Sequence, residues 1–173
     1  RMFIASAYTG ISPADYAAPF DTVYISLWKT FNSMSGAILA GPEVLLKDMF
    51  HARRMFGGAL FNAWPFALLA WHYEQGFLDR LSAAIAVSND FFGALSGSRI
   101  KIQRVPNGTN VFRLIAPEPL ANTLREHLIS QGVMLPGHAK TPGGAVFVLQ
   151  VNETWNRTTG GELAQKFRRA LTG

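Results

Sequence analysis

Residues 20–41 read Phe20-Asp21-Thr22-Val23-Tyr24-Ile25-Ser26-Leu27-Trp28-Lys29-Thr30-Phe31-Asn32-Ser33-Met34-Ser35-Gly36-Ala37-Ile38-Leu39-Ala40-Gly41. The first nine are rich in β-branched and aromatic side chains, which predicts a largely buried strand over residues 20–28. Lys29 ends the run, residues 32–36 are small and polar and turn the chain, and Ala37–Ala40 is a second short strand.

Lys29 is the unusual residue here. The chain has five lysines, Lys29, Lys47, Lys101, Lys140 and Lys166, and the other four lie where a solvated lysine is ordinary. A lysine at the rim of a buried strand can be desolvated enough to act as a neutral amine, the form that condenses with a carbonyl. It can equally snorkel from the strand end as a plain surface cation. Ser26-Leu27-Trp28-Lys29 also spells S-x-x-K, a serine-nucleophile motif that needs both residues on one helix face. On a strand, residues three apart point to opposite faces, and no S-D-N or K-T-G partner occurs, so this reading is set aside.

Outward from this segment, Ser12-Pro13-Ala14-Asp15 is a helix-start signal, and Pro19 ends the brief helix. Gly41-Pro42 opens a helix running to about Phe56, with Arg53 and Arg54 in its last turn and Gly57-Gly58 stopping it. Asn62 is expected to cap one long helix through Leu68, Phe77 and Ile85 to about Leu95, with Pro65 tolerated in the first turn. Beyond Ser96-Gly97-Ser98 the pattern changes. Residues 100–105 and 111–115 read as a hairpin around Pro106-Asn107-Gly108-Thr109. A helix over 120–131, strands at 133–135 and 145–151, and a last helix over 162–171 complete a small α+β unit. The boundary is placed inside the long helix, giving domains 1–87 and 88–173.

The bulk numbers narrow the classes. With 173 residues, 49% hydrophobic, the chain can build a substantial core, and disorder is excluded. Only 16% of residues are charged, against about 25% in ordinary soluble domains. Such a chain hides part of its surface against something, or is not the whole molecule. The net charge of +5 raises nucleic acid as a partner, but Arg53–Arg54 and Arg168–Arg169 are the only adjacent basic pairs, so no nucleic-acid partner is expected. Cysteine is absent, which removes disulfides and thiol nucleophiles. No apolar run approaches the ~18 residues a membrane span needs, and no signal peptide opens the sequence; no membrane partner and a cytoplasmic location are expected. His51, His72, His127 and His138 lie far apart with no carboxylate at ligand spacing, so no metal site is expected.

The lysine segment, with Gly36-Ala37-Ile38-Leu39-Ala40-Gly41 after it, resembles that of the threonine aldolase and β-eliminating lyase family, pyridoxal-phosphate enzymes of fold type I. In that family a strand ends in S-L-x-K and a G-x-x-x-A-G strand follows. Arg53-Arg54-Met55-Phe56-Gly57-Gly58 is similar to the family's R-K-x-x-G-G, and Arg1 before Met2-Phe3 fits the arginine of D-G-A-R. The resemblance implies an α/β fold: the C-terminal part of a cofactor-binding large domain followed by a small α+β domain. It implies that Lys29 holds pyridoxal 5'-phosphate as an internal aldimine, that Arg1 binds the carboxylate of an amino-acid substrate, and that Ser26 and Arg54 contact the cofactor. The reaction implied is Cα–Cβ cleavage of a β-hydroxy amino acid; β-elimination is the alternative with the same cofactor, and a non-catalytic scaffold the alternative from another class. A homodimer or homotetramer is implied, completed by a preceding half of the large domain.

Two departures stand out. Where the family often continues G-G-G-M-R-Q, this chain has Gly57-Gly58-Ala59-Leu60-Phe61-Asn62, and Phe61 cannot bind phosphate. A family arginine near the end of the penultimate small-domain strand is replaced by apolar Phe147-Val148-Leu149; Arg157 follows later.

Overall fold

α1 (Met2–Thr9) ends at Gly10, whose left-handed φ of 74° lets its N–H reach the Ser6 carbonyl at 2.9 Å. α2 (Pro13–Ala17) begins as its sequence predicts. Ser12 Oγ accepts the Asp15 N–H at 3.1 Å and donates to the Asp15 carboxylate at 2.7 Å. The computed structural model describes residues 1–172 and divides into two units, Arg1–Asp79 and the chain from Arg80 onward.

In the first unit, β1 (Val23–Ser26) pairs antiparallel with β2 (Ala37–Ala40), in register from Val23↔Ala40 to Ser26↔Ala37. The long buried strand expected over 20–28 is therefore corrected to four residues. Gly41-Pro42 closes the partner strand, and proline has no N–H to extend the ladder. Beyond Ser26 the chain coils into a single helical turn, α3 (Leu27–Thr30), with the Leu27 N–H bonded to the Gly36 carbonyl at 3.0 Å. Lys29 thus lies on a helical turn rather than at a strand end. Tyr24 and Trp28, expected inside, are exposed.

The helix expected from Pro42 to Phe56 is also corrected: it is two helices, α4 (Glu43–Leu46) and α5 (Met49–Met55). Asp48 occupies the N-cap position of α5, a place aspartate favours over a helix interior. The long helix expected over 62–95 is likewise split into α6 (Trp64–Glu74) and α7 (Phe77–Ala94), and α6 is capped at Ala63 rather than Asn62. Gly76 between them has φ 65°, which no right-handed helix accommodates. The first unit's own core is small. Phe3, Phe31 and Phe77 meet edge-to-face with centroids 4.9, 5.4 and 6.4 Å apart, beside buried Leu27 and Ala70.

The second unit is a two-layer sandwich. β3 (Lys101–Arg104), β4 (Val111–Ala116), β5 (Ala139–Thr141) and β6 (Gly144–Gln150) form an antiparallel sheet in the order β3-β4-β6-β5. α8 (Ala121–Ser130) and α9 (Gly160–Thr172) pack on it with the part of α7 beyond Arg80. Alternate residues Phe112, Leu114 and Ala116 of β4, with Ala145 and Phe147 of β6, are buried with Phe91, Leu124, Leu128 and Phe167. Arg113 and Val148, paired across the two strands, are exposed. Asn107, with φ 53°, turns the hairpin as expected.

The strand expected at 133–135 is corrected to a loop, and β5 at 139–141 takes its place in the order. Gly132 (φ 76°) reverses the chain after α8 and lets the Val133 N–H reach the Leu128 carbonyl at 2.8 Å. Leu135 buries its side chain, but its carbonyl accepts from Arg125 Nε at 3.3 Å instead of a strand, and Pro136 follows without a donor.

Candidate active site

Lys29 is exposed, with its ammonium 5.2 Å from the centroid of the Trp28 ring. Ser26 stands at the junction of β1 and α3, and its hydroxyl is buried without a hydrogen-bond partner among the described residues. A neutral hydroxyl left so costs about 1–3 kcal/mol, so it is a place where an incoming acceptor or donor would be rewarded.

Arg1 is also exposed. Its backbone nitrogen lies near enough to Lys29 to feel the charge of the ammonium. Lys29 and Arg1, which the sequence joins only through a motif, therefore share one electrostatic neighbourhood. Near two cations, an anionic group such as a carboxylate or phosphate is favoured.

Arg54 lies apart from these in its contacts. The Arg53 and Arg54 guanidiniums both sit over the Phe50 ring, at 5.4 and 5.6 Å from its centroid. The Gly57-Gly58 pair explains the spacing. Gly57 (φ 73°) turns the chain out of α5, and Gly58 folds back on Arg53, its N–H bonded to the Arg53 carbonyl at 2.8 Å. A methyl group at Gly58 would lie 2.7 Å from Arg53 Cγ. Gly57 bonds its N–H to the Arg54 carbonyl at 3.1 Å, so the two glycines hold the backbone of both arginines.

A cavity of about 760 Å³ opens in the first unit, lined by Leu27, Phe31, Arg53, Trp71 and Glu74 among others. Lys29, Ser26, Arg1 and Arg54 are not in its wall. Sequence reasoning passed over Arg53 and Glu74, the charged members of that wall; Arg53 was visible only as half of a basic pair. Among the described residues, no group of three or more His, Asp and Glu side chains is placed to hold a metal ion. No helix among them is long and apolar enough to cross a membrane.

A short two-stranded unit carrying a lysine turn, followed by a helix-backed antiparallel sheet, defines the fold class: the α/β architecture of the C-terminal portion of threonine aldolase and β-eliminating lyase structures. The resemblance in sequence is carried into three dimensions by particular proteins. The chain superposes on a putative aromatic amino acid β-eliminating lyase/threonine aldolase from Exiguobacterium with a TM-score of 0.77 at 23% identity, covering 98% of this chain and 49% of that one. It superposes on a putative L-allo-threonine aldolase from Listeria monocytogenes with a TM-score of 0.74 at 22% identity, covering 97% and 48%. The threonine aldolase of Leishmania major gives 0.66 at 14% identity, covering 99% and 49%. In sequence, 72 residues are 32% identical to the low-specificity L-threonine aldolase of Candida albicans, 42% of this chain and 19% of that protein. The chain spans about half the length of these solved relatives. No protein-family model matches it.

Proposed function

We propose that this chain is part of a pyridoxal-phosphate-dependent lyase that cleaves the Cα–Cβ bond of a β-hydroxy amino acid, with Lys29 as the residue that holds the cofactor. The observation that carries the reading is the likeness in fold, over 98% of the chain, to a structure described as a β-eliminating lyase/threonine aldolase. The residues present fit the group. A phosphorylated aldehyde calls for a primary amine and for hydrogen-bond donors to phosphate; Lys29 offers the first and the unpartnered Ser26 hydroxyl the second, while Arg54, whose contacts lie apart from theirs, offers a guanidinium of the type that binds phosphate. When bound, pyridoxal phosphate supplies an electron sink for the carbanion left by bond cleavage.

The chain's own residues do the rest. Lys29 would hold the cofactor through its ε-amine and would serve as a base within the site. Arg1, always charged and planar, takes the substrate carboxylate in a two-point contact. That contact orients the amino acid, and orientation decides which Cα bond breaks. A second reading, β-elimination with the same cofactor, is favoured by the same relative, whose description names an aromatic amino acid β-eliminating lyase first.

The low charge of the chain fits this reading. Of the large apolar side chains left exposed among the described residues, eighteen lie in the first unit and four in the second. Phe56 and Phe61 are 87% and 102% exposed. A surface of this kind belongs to an interface. We assign its cover to a further half of the cofactor-binding domain and to a second subunit of a homodimer or homotetramer.

The test is made on the full-length parent protein. Loaded with pyridoxal phosphate, it is expected to absorb near the visible edge and to carry a borohydride-stable adduct on Lys29 in a peptide digest. An adduct on another lysine, or undiminished turnover in Lys29→Ala, overturns the assignment.

A further inference from the structure

We propose that a cleft at the open edge of β6, built wholly from the second unit, binds a small organic carboxylate: a single negative charge on an apolar body. The cleft has a volume of about 700 Å³, within the roughly 300–1,000 Å³ of small-molecule sites. It exists because β5 is short. β5 pairs with β6 only from Gly144 to Val146, so from Val148 to Gln150 the sheet has β4 on one side and the cleft on the other.

One wall is apolar and rigid. The Trp155 indole donates from Nε1 to the Gln150 carbonyl at 3.1 Å, and its ring meets Phe91 and Phe112 at centroid distances of 5.4 and 6.0 Å. Leu149, Leu163 and Phe167 continue that wall. A rigid aromatic surface suits a flat hydrocarbon or aromatic body, because little side-chain freedom is lost on binding.

The charge in the wall is of one sign. Arg157 and Lys166 line the cleft, and no Asp or Glu does among the described residues. Lys166 is held in place: Nζ donates to the Gln131 carbonyl at 2.9 Å, and Gln131 Nε2 returns a bond to the Lys166 carbonyl at 3.4 Å. The carboxylates on the flanking segments make their hydrogen bonds outside the cleft. Glu153 pairs with Arg80, and Glu162 accepts from Thr158 Oγ1 and from the Thr159 N–H, each at 3.1 Å, although its charge also acts on Lys166 and leaves Arg157 as the main cation for a ligand. Arg157 has no ion-pair or hydrogen-bond partner among the described residues. A planar guanidinium with nothing to bind, beside an anchored ammonium and an aromatic wall, selects a carboxylate over a neutral ligand. The apolar wall, which an inorganic ion cannot cover, favours a carboxylate carried on a hydrocarbon body over inorganic phosphate.

The probe is phenylacetate, titrated into the 173-residue chain by calorimetry and followed in ¹H–¹⁵N spectra. Its neutral counterpart, phenylacetamide, and inorganic phosphate are titrated in parallel. Saturable binding of phenylacetate is expected, with a dissociation constant on the order of 1 mM or tighter and shifts centred on Val148, Gln150, Thr158 and Leu163. Arg157→Gln is expected to weaken it about tenfold with no change in melting temperature, since Arg157 supports nothing in the fold, and Lys166→Met to weaken it less. The proposal is overturned by an absence of saturable binding, by equal binding of phenylacetamide or phosphate, by an unchanged affinity in Arg157→Gln, or by shifts confined to the exposed aromatics of residues 1–79.

Discussion

Ser26 and Lys29 share the first turn of the reversal that joins β1 to β2: the serine closes β1 with its hydroxyl buried and without a hydrogen-bond partner among the described residues, and the lysine rides the helical turn that follows, its ammonium over Trp28. In the chain by itself that serine is a cost; under the proposed function it becomes a contact to the cofactor. Ser26→Ala should therefore leave the melting temperature of the unloaded protein unchanged or raise it, by up to about 1 kcal/mol of stability, because a buried unsatisfied hydroxyl is removed. The same substitution in the full-length parent should weaken pyridoxal phosphate about tenfold, about 1.4 kcal/mol, read as a fluorescence titration. A destabilised unloaded protein with unchanged cofactor affinity would show that the hydroxyl serves the fold alone.

Lys29→Arg is the sharper companion. Arginine keeps the charge over Trp28 and removes the amine that can condense with an aldehyde. The fold, read by near-ultraviolet circular dichroism, should be retained, while visible absorbance and borohydride trapping disappear from the full-length protein. Trapping that survives in Lys29→Arg places the reactive amine elsewhere.

α9 starts where it does because α7 leaves no room for a side chain. A methyl group on Gly160 would lie 2.5 Å from the Val87 carbonyl oxygen and 2.6 Å from the Phe91 nitrogen, both backbone atoms that cannot swing aside. Gly160→Ala should cost about 1–3 kcal/mol, the usual range for forced overpacking. The adjacent Gly161 has open space at the same position, so Gly161→Ala should be neutral or stabilising by about 0.4–1 kcal/mol. Urea unfolding of the two variants separates packing from helix propensity, and equal midpoints would refute the close approach.

How much of this was legible in the chain follows from where its information lies. Ser12-Pro13-Asp15, Gly57-Gly58 and Asn107-Gly108 act through their own backbone neighbours, so the sequence shows their structure directly. The two-strand segment was legible in position but not in length. Tyr24 and Trp28 have the composition of a buried strand, yet the ladder is cut at one end where β2 runs into Gly41-Pro42, opposite residues 21–22, and at the other where Leu27 enters the helical turn. The helix breaks at Asp48 and Gln75-Gly76 were hidden by continuous apolar spacing on both sides, although a glycine was there to be weighed. At the site, Lys29 stood out by its setting, whereas the cavity wall of Arg53 and Glu74 depends on how α5 and α6 pack, which no local pattern records.

The start of α9 also carries a pH dependence. Thr159 and Glu162 cap each other: Thr159 Oγ1 accepts the Glu162 N–H at 3.2 Å, and the Glu162 carboxylate accepts the Thr159 N–H at 3.1 Å and the Thr158 hydroxyl at 3.1 Å. The Thr159 backbone bond first, then the two hydroxyls, hold the Glu162 carboxyl below its usual range. A carboxyl whose pKa is depressed in the folded state stabilises that state above its unfolded pKa, and the benefit is lost as the pH falls through the folded value. Acidification from pH 7 to 3 should therefore lower the urea midpoint of the second unit less in Glu162→Gln than in the natural sequence. Since the carboxylate is fully exposed, salt should shrink the charge-dependent part of that difference, while the Thr159 cap, which involves no charge on the threonine, should persist. Thr159→Ala removes the Oγ1 half of the pair and keeps the backbone N–H on the Glu162 carboxylate, so it should lower the midpoint at pH 7 while retaining most of the acid limb. Parallel acid limbs in all three proteins would show that the helix start carries no titrating contact.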